Sequence, residues 1–342
     1  MPSVPADVSS IRRALLDWYD VHARTLAWRS PPGTKARPDP YRVWLSEVML
    51  QQTTTPHATP YFLSFIARWP TVSDLAAAED GDVMAAWAGL GYYARARNLL
   101  ACARAVAREH GGVFPDTEAG LRALPGVGAY TAAAVASIAF SEAANVVDGN
   151  VERVMARLFA VETPVPTARP ELRALAGSLV RDDRPGDWAQ ALMDLGATVC
   201  RPKSPLCGDC PLTTWCAGYA GGQPERYPLK LKKAERPHRT GIAWVLSDGS
   251  GRVALVRRPD KGLLGGMLGL PTSDWSAAPD ATPPVDADWR EAGFVEHVFT
   301  HFSLTLEVRA AEGGGDFVWT PVEEALGALP TVFRKALERG LG

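Results

Sequence analysis

The sequence predicts a multidomain protein, an all-α N-terminal domain followed by a smaller α+β domain. Three observations carry this reading. The chain of 342 residues is long enough for two hydrophobic cores. Apolar residues keep a helical spacing to about residue 218. After Arg239 the texture changes to short strand-like runs.

In the first part, Ile11, Leu15, Trp18 and Tyr19 recur at helical intervals, as do Tyr41, Trp44, Leu45 and Val48, and Leu172, Leu175 and Leu179. Such spacing makes helices with one buried stripe. Pro and Gly clusters at 30–40, 111–112 and 164–170 punctuate the run. A Gly-, Pro- and Lys-rich stretch then reads as a linker, giving domains at 1–220 and 239–342 with 221–238 between them. In the second part, Thr240–Ser247 and Arg252–Arg257 flank Asp248-Gly249-Ser250-Gly251, a hairpin signal. Phe294–Val308 reads as further strand. Thr320-Pro321-Val322-Glu323 reads as a helix start, with Thr320 as N-cap and Pro321 at the first helical position.

The formal net charge of −2 does not advertise a polyanion binder, but local charge does. Between Asp82 and Glu109 the charged residues are Arg95, Arg97, Arg104 and Arg108. From Arg226 to Arg239, Arg226, Lys230, Lys232, Lys233, Arg236 and Arg239 face Glu235 alone. The first thirty residues lack the apolar core of a signal peptide, and the apolar run Ala132–Phe140 is too short to span a bilayer. We expect a soluble, cytoplasmic protein.

Leu124-Pro125-Gly126-Val127-Gly128-Ala129-Tyr130-Thr131 is a glycine turn between two helical runs, with Asp148 shortly after it. A dinucleotide fingerprint would need a strand before the glycines and a third glycine near Thr131, and both are missing. The turn suits a phosphate, held by backbone N–H groups at the N-terminus of the helix that begins near Tyr130. An ordinary helix–helix turn is the plainer alternative. Pro40–Gln52 reads as a helix apolar almost all round, with Glu47 beside Val43, Trp44 and Leu50. A carboxyl in such company has a raised pKa and suits a general acid. A surface glutamate sharing an exposed strip with Gln51 fits this helix equally well.

Cys200, Cys207, Cys210 and Cys216 crowd one short stretch. Four thiolates so spaced enclose an iron–sulfur cluster or a zinc ion. The absence of paired Cys-x2-Cys knuckles favours iron–sulfur. Cys102, beside Leu99 and Val106, reads as a core residue.

The Leu-Pro-Gly-Val-Gly hairpin, Val147-Asp148 and the four-cysteine spacing together resemble the helix-hairpin-helix DNA glycosylases of the endonuclease III superfamily. Val43–Thr53, Gly89–Leu99 and Val147–Val151 narrow the resemblance to the MutY-type adenine DNA glycosylases, over nearly the whole chain. The resemblance implies a helix-hairpin-helix glycosylase domain with a four-iron, four-sulfur (4Fe-4S) cluster held by Cys200, Cys207, Cys210 and Cys216. It also implies a Nudix-like C-terminal domain that reads 8-oxoguanine. The implied substrate is double-stranded DNA with adenine opposite 8-oxoguanine or guanine, bound by a monomer at the nucleoid.

In that family's chemistry the adenine is flipped out and its N-glycosidic bond is cut. Glu47 corresponds to the acid that protonates adenine N7, and Asp148 to the carboxylate that stabilises the sugar cation, with Tyr130 and Asn150 beside them. Tyr92 and Gln52 match the wedge residues, and Leu50 lies near the adenine pocket. Trp28, Arg29 and Gln190 match residues lining that pocket, while Gly126 and Gly128 match the phosphate-binding turn. Phe299-Thr300-His301 stands where the family carries Phe-Ser-His, so Thr300 and His301 are expected at the oxidised purine. Only Arg290-Glu291-Ala292-Gly293 resembles the glutamate-rich metal box of working Nudix hydrolases, so pyrophosphatase activity is not expected.

Two other readings compete. An endonuclease III-like glycosylase/lyase needs a Schiff-base lysine, and Tyr130 stands at that position. A thymine mismatch glycosylase can lack the lysine, but the C-terminal domain argues against it. A non-catalytic damage-binding module would have no use for two such carboxylates.

Overall fold

The computed structural model describes residues 7–34, 37–231, 236–259, 262–299 and 301–342. The chain divides into two compact units, Met1–Leu231 and Lys232–Gly342.

The first unit is helical: α1 (Val8–His22), α2 (Pro40–Met49), α3 (Thr55–Arg68), α4 (Val72–Ala76), α5 (Asp80–Trp87), α6 (Ala94–Glu109), α7 (Glu118–Arg122), α8 (Ala129–Phe140), α9 (Gly149–Leu158), α10 (Arg169–Ser178), α11 (Pro185–Thr198) and α12 (Ala217–Ala220). Sequence sets several of these ends. Pro40 opens α2 behind Asp39, whose side chain accepts from Tyr41 N. Asp148 caps α9 by accepting from Val151 N. Helix α8 is Ala-rich and buried on all sides, so α2, α7 and α11 can pack closely around it.

The expected linker docks in its first part on this unit. Tyr227 is buried, its carbonyl accepts from Arg157 Nε at 3.0 Å, and its hydroxyl donates to Glu162 at 2.6 Å. Lys230 bridges to Val165.

The basic stretch in the α5–α6 region needs correction. Arg95 is buried and serves backbone carbonyls, while Arg97, Arg104 and Arg108 stay exposed, Arg104 paired with Asp80 at 2.7 Å and Arg108 with Glu109 at 2.5 Å.

The second unit is a mixed sheet with strands β1 (His238–Ser247), β2 (Arg252–Arg257), β3 (Leu268–Gly269), β4 (Arg290–Val298), β5 (Ser303–Glu312) and β6 (Val318–Pro321), then α13 (Val322–Ala328) and α14 (Thr331–Leu341). The order is β3-β2-β1-β5-β4, with β6 also paired to β2. The expected β1–β2 hairpin is present and antiparallel. Val245, Leu255, Leu306 and Phe333 share the core that α14 closes over the sheet.

The expected strand over Phe294–Val308 is present as two antiparallel pieces, β4 and β5, parted where Phe299 N donates to Phe302 O at 2.9 Å and both rings pack on Trp275. One expectation fails. Thr320 is no N-cap: it pairs with Val253 in the sheet, and the strand runs through Pro321 before α13 starts at Val322.

Candidate active site

Helix α2 carries Glu47 into the first unit's interior, a side its apolar neighbours allowed but did not decide. Glu47 is 6% exposed, with Trp44 and Val43 buried beside it. The surface alternative is excluded. Burial pushes the Glu47 carboxyl above its ordinary range, and the charge of Asp148 adds to that push. The Tyr130 hydroxyl, donating to Glu47 Oε2 at 2.6 Å, and the Arg29 guanidinium act in the opposite direction. Burial and the two neighbouring carboxylates hold the Tyr130 phenol well above its usual pKa, so it remains a donor.

Asp148 sits at the other kind of place, a helix N-terminus. Its Oδ1 accepts from Val151 N at 2.7 Å, and its Oδ2 accepts from Asn150 Nδ2 at 2.7 Å. Asn150 is itself held: Arg153 Nη2 donates to its Oδ1 at 2.9 Å and to Gly196 O at 2.7 Å, while Arg153 Nε donates to Cys200 O at 2.8 Å. The glutamate, the tyrosine, the aspartate and Arg29 therefore form one electrostatic group, and Asn150 joins it through Asp148.

Arg29 reaches this group because Asp194 anchors it. Asp194 is fully buried and accepts from Arg29 Nη1 at 2.6 Å, Arg24 Nε at 2.5 Å and Arg24 N at 3.0 Å. Trp28 is buried edge-on against Phe62, with ring centroids 5.2 Å apart. Leu50 is half-buried at the end of α2. Gln190 is buried on α11, bonds Gly186 O at 3.2 Å, and borders a recess of about 440 Å³ that Ser30, Thr34 and Arg37 also line.

The hairpin has the form its glycines require. Gly126 adopts φ 71°, and a Cβ there would meet Asn98 Cβ at 2.6 Å. Leu124 and Val127 anchor the turn in the core. Gly128 is the N-cap of α8, with no side-chain cap and open space around it, so the first N–H groups of that helix are free for a ligand.

Gln52 and Tyr92 both project from turns. Both are exposed, and both have left-handed backbones, at φ 58° and φ 50°. Non-glycine residues hold that conformation only where their surroundings over-determine it.

Cys200, Cys207, Cys210 and Cys216 all border one small recess of about 30 Å³ in the first unit. Among the described residues no three His, Cys, Asp or Glu side chains stand at metal-binding geometry. The donor set nevertheless fits a thiolate-bound cluster. Arg157 Nη1 approaches Cys200 Sγ at 3.3 Å, and the same guanidinium holds the carbonyls of Arg201 and Pro202 at 2.7 and 3.1 Å. Burial pushes the Cys210 thiol up to about 11 and the Cys216 thiol up as well, with like-charge neighbours adding to both.

In the second unit, His301 is exposed, two residues after Phe299, whose ring stacks on Trp275 at 5.7 Å. Thr300 lies outside the described residues.

Sequence reasoning missed Arg153, Arg157 and Asp194. A signal was available for the first two, which stand one and two turns beyond Asp148 on the helix it caps. Asp194, between Met193 and Leu195, carried none.

Residues 45–179 match the family described as HhH-GPD superfamily base excision DNA repair protein, and residues 242–339 match the NUDIX domain. The chain is 36% identical to the adenine DNA glycosylase of Homo sapiens, over 89% of this chain and 67% of that protein. It is 40% identical to that of Mycolicibacterium smegmatis, over 68% of this chain and 79% of that protein. Among solved structures, a thermostable thymine-DNA glycosylase superposes with TM-score 0.56 and 28% identity, over 63% of this chain and 97% of that chain. An endonuclease III trapped on DNA gives TM-score 0.52 at 22% identity over 63% of this chain and 97% of that chain, a likeness of fold.

Fold and matches define a DNA N-glycosylase of the helix-hairpin-helix class, with a Nudix-like second domain. Within that class, the chain belongs to the adenine DNA glycosylase family.

Proposed function

We propose that this enzyme removes adenine mispaired with 8-oxoguanine or guanine by hydrolysing its N-glycosidic bond, and leaves an abasic site. The observation that carries the reading is the contrast between a buried Glu47, held toward its protonated form, and an Asp148 whose two oxygens each receive an N–H donor. Glycosidic cleavage needs that pairing of acid and carboxylate.

Glu47 gives its proton to adenine N7, so the base departs neutral. Tyr130 fixes the Glu47 carboxyl through its 2.6 Å hydrogen bond. Asp148 faces the oxocarbenium-like sugar with negative charge, and Asn150 orients it. Tyr92 and Gln52 fill the space the adenine leaves, Leu50 abuts the extruded base, and Trp28, Arg29 and Gln190 complete its pocket. Gly126 and Gly128 bind a backbone phosphate. Thr300 and His301 of the second domain contact 8-oxoguanine.

The four cysteines hold a 4Fe-4S cluster, which when bound cross-links its loop; Arg157 orients that loop from inside. The enzyme acts as a monomer at the nucleoid.

Among the described residues of the first unit no amine stands beside Glu47 and Asp148, so the reaction stops at hydrolysis. The lysines among them are Lys203, in the cysteine loop, and Lys230, beside Val165. Single-turnover assays on labelled duplexes test the reading. Adenine should be excised opposite 8-oxoguanine and opposite guanine, with strand cleavage only after alkali. Excision of mispaired thymine with no adenine excision overturns the substrate. Efficient borohydride trapping of a protein–DNA adduct overturns the monofunctional mechanism.

A further inference from the structure

Arg95 sits where the turns bearing Gln52 and Tyr92 meet. Its Nη1 donates to the carbonyls of Val48 at 3.2 Å, Met49 at 3.0 Å and Gln51 at 2.6 Å. Its Nη2 donates to the carbonyls of Leu90 at 2.8 Å and Gly91 at 3.2 Å, and to the Thr53 hydroxyl at 3.3 Å. The guanidinium carbon lies 5.3 Å from the Trp87 ring centroid and 5.7 Å from that of Tyr92.

One side chain thus ties the C-terminal end of the Glu47 helix to both turns. Its contacts bracket Gln52 on either side and reach the two residues before Tyr92. Those are the two residues held left-handed, and Tyr92 is 58% exposed, so little packing of its own fixes it. A planar guanidinium can serve carbonyls of two segments at once, which a lysine ammonium does poorly.

We propose that Arg95 is a positioning residue for base extrusion: it holds Gln52 and Tyr92 in their projecting conformations and in register with the helix that carries Glu47. The inference rests on the reading of Gln52 and Tyr92 as wedges and names what prepares them before DNA arrives. It predicts that Arg95 matters to extrusion only through those two side chains.

A double-mutant cycle tests this on the full-length protein. Arg95→Lys is compared with its parent in two backgrounds, the native one and Gln52→Ala with Tyr92→Ala. Extrusion is read from the fluorescence of 2-aminopurine as the target base opposite 8-oxoguanine, excision from single turnovers on adenine, and folding from thermal melting. Arg95→Gln, which keeps one NH2 donor, is used if the lysine variant does not fold. In the native background the substitution should slow both extrusion and excision by about tenfold or more, since small misplacements at a reacting centre cost that much. In the wedge-less background the loss should shrink to less than about twofold, as for residues acting as a unit. An equal loss in both backgrounds overturns the inference and leaves Arg95 a residue of fold stability. Extrusion at the parent rate by the wedge-less protein overturns the wedge reading, and the inference with it.

Discussion

Helix α2 around Glu47 and the N-terminus of α9 around Asp148 present the same functional group in opposite settings. Glu47 lies within a helix, walled by apolar side chains, with one hydroxyl donor. Asp148 stands at a helix start, half-buried, with a backbone N–H and an amide N–H on its two oxygens. Desolvation favours the proton in the first place, while the second offers two N–H donors at a helix start. The difference teaches that the division of labour we propose, acid against counter-charge, rests on backbone position, because the carboxyls themselves are chemically alike.

The strongest way to break the comparison is to remove either carboxylate's special property. Asp148→Asn keeps an N-cap side chain and so the start of α9, but loses the charge. Excision should fall about 10³-fold with duplex binding retained, the scale of lost electrostatic stabilisation. Glu47→Gln should fall by about 10²–10⁴-fold, the usual worth of a general acid. Either variant cutting at the parent rate in single turnovers would end the assignment.

A second prediction concerns Asp194, which neutralises the Arg29 beside Glu47. Asp194→Asn leaves a buried guanidinium poorly paired and should destabilise the first domain by about 3 kcal/mol. Urea unfolding followed by circular dichroism measures it, and a change within experimental error would deny Asp194 that role.

A smaller effect sharpens the pH side. Tyr130→Phe removes a donor that favours the Glu47 carboxylate, so the alkaline limb of the excision profile should move to higher pH. The rate at neutral pH should drop several-fold, for a hydrogen bond worth about 1 kcal/mol. In Asp148→Asn the residual activity should show the opposite shift, because a negative neighbour is lost. Limbs that stay put in both variants would show that Glu47 does not set the profile.

The smallest effect is on stability. The folded-state pKa of Glu47 is raised above its ordinary value of 4.5, so its contribution is fully present below that pH and is lost as pH rises through the folded pKa. Glu47→Gln should flatten that decline in melting curves across the same window.

Much of this was legible before the fold. Helix α2 could be read from its apolar run and the hairpin from Gly126 and Gly128. Where the reading failed or stopped short, the determining contact was distant in sequence. The break at Phe299–Phe302 depends on Trp275, and the strand character of Thr320 depends on Val253. Arg95 looked like a surface cation because its partners, from Val48 to Thr53, belong to another helix and its turn.

The sequence by itself determined the two-domain division, the helical and mixed textures, the glycine hairpin and the grouping of four cysteines. These follow from local periodicity, backbone permissiveness and spacing, which need no partner. Only the tertiary structure decided that Glu47 is buried rather than exposed, that Asp194 stands behind Arg29, and that Arg95 is internal. Burial and charge pairing are properties of surroundings, and the chain assembles those surroundings from segments up to 170 residues apart.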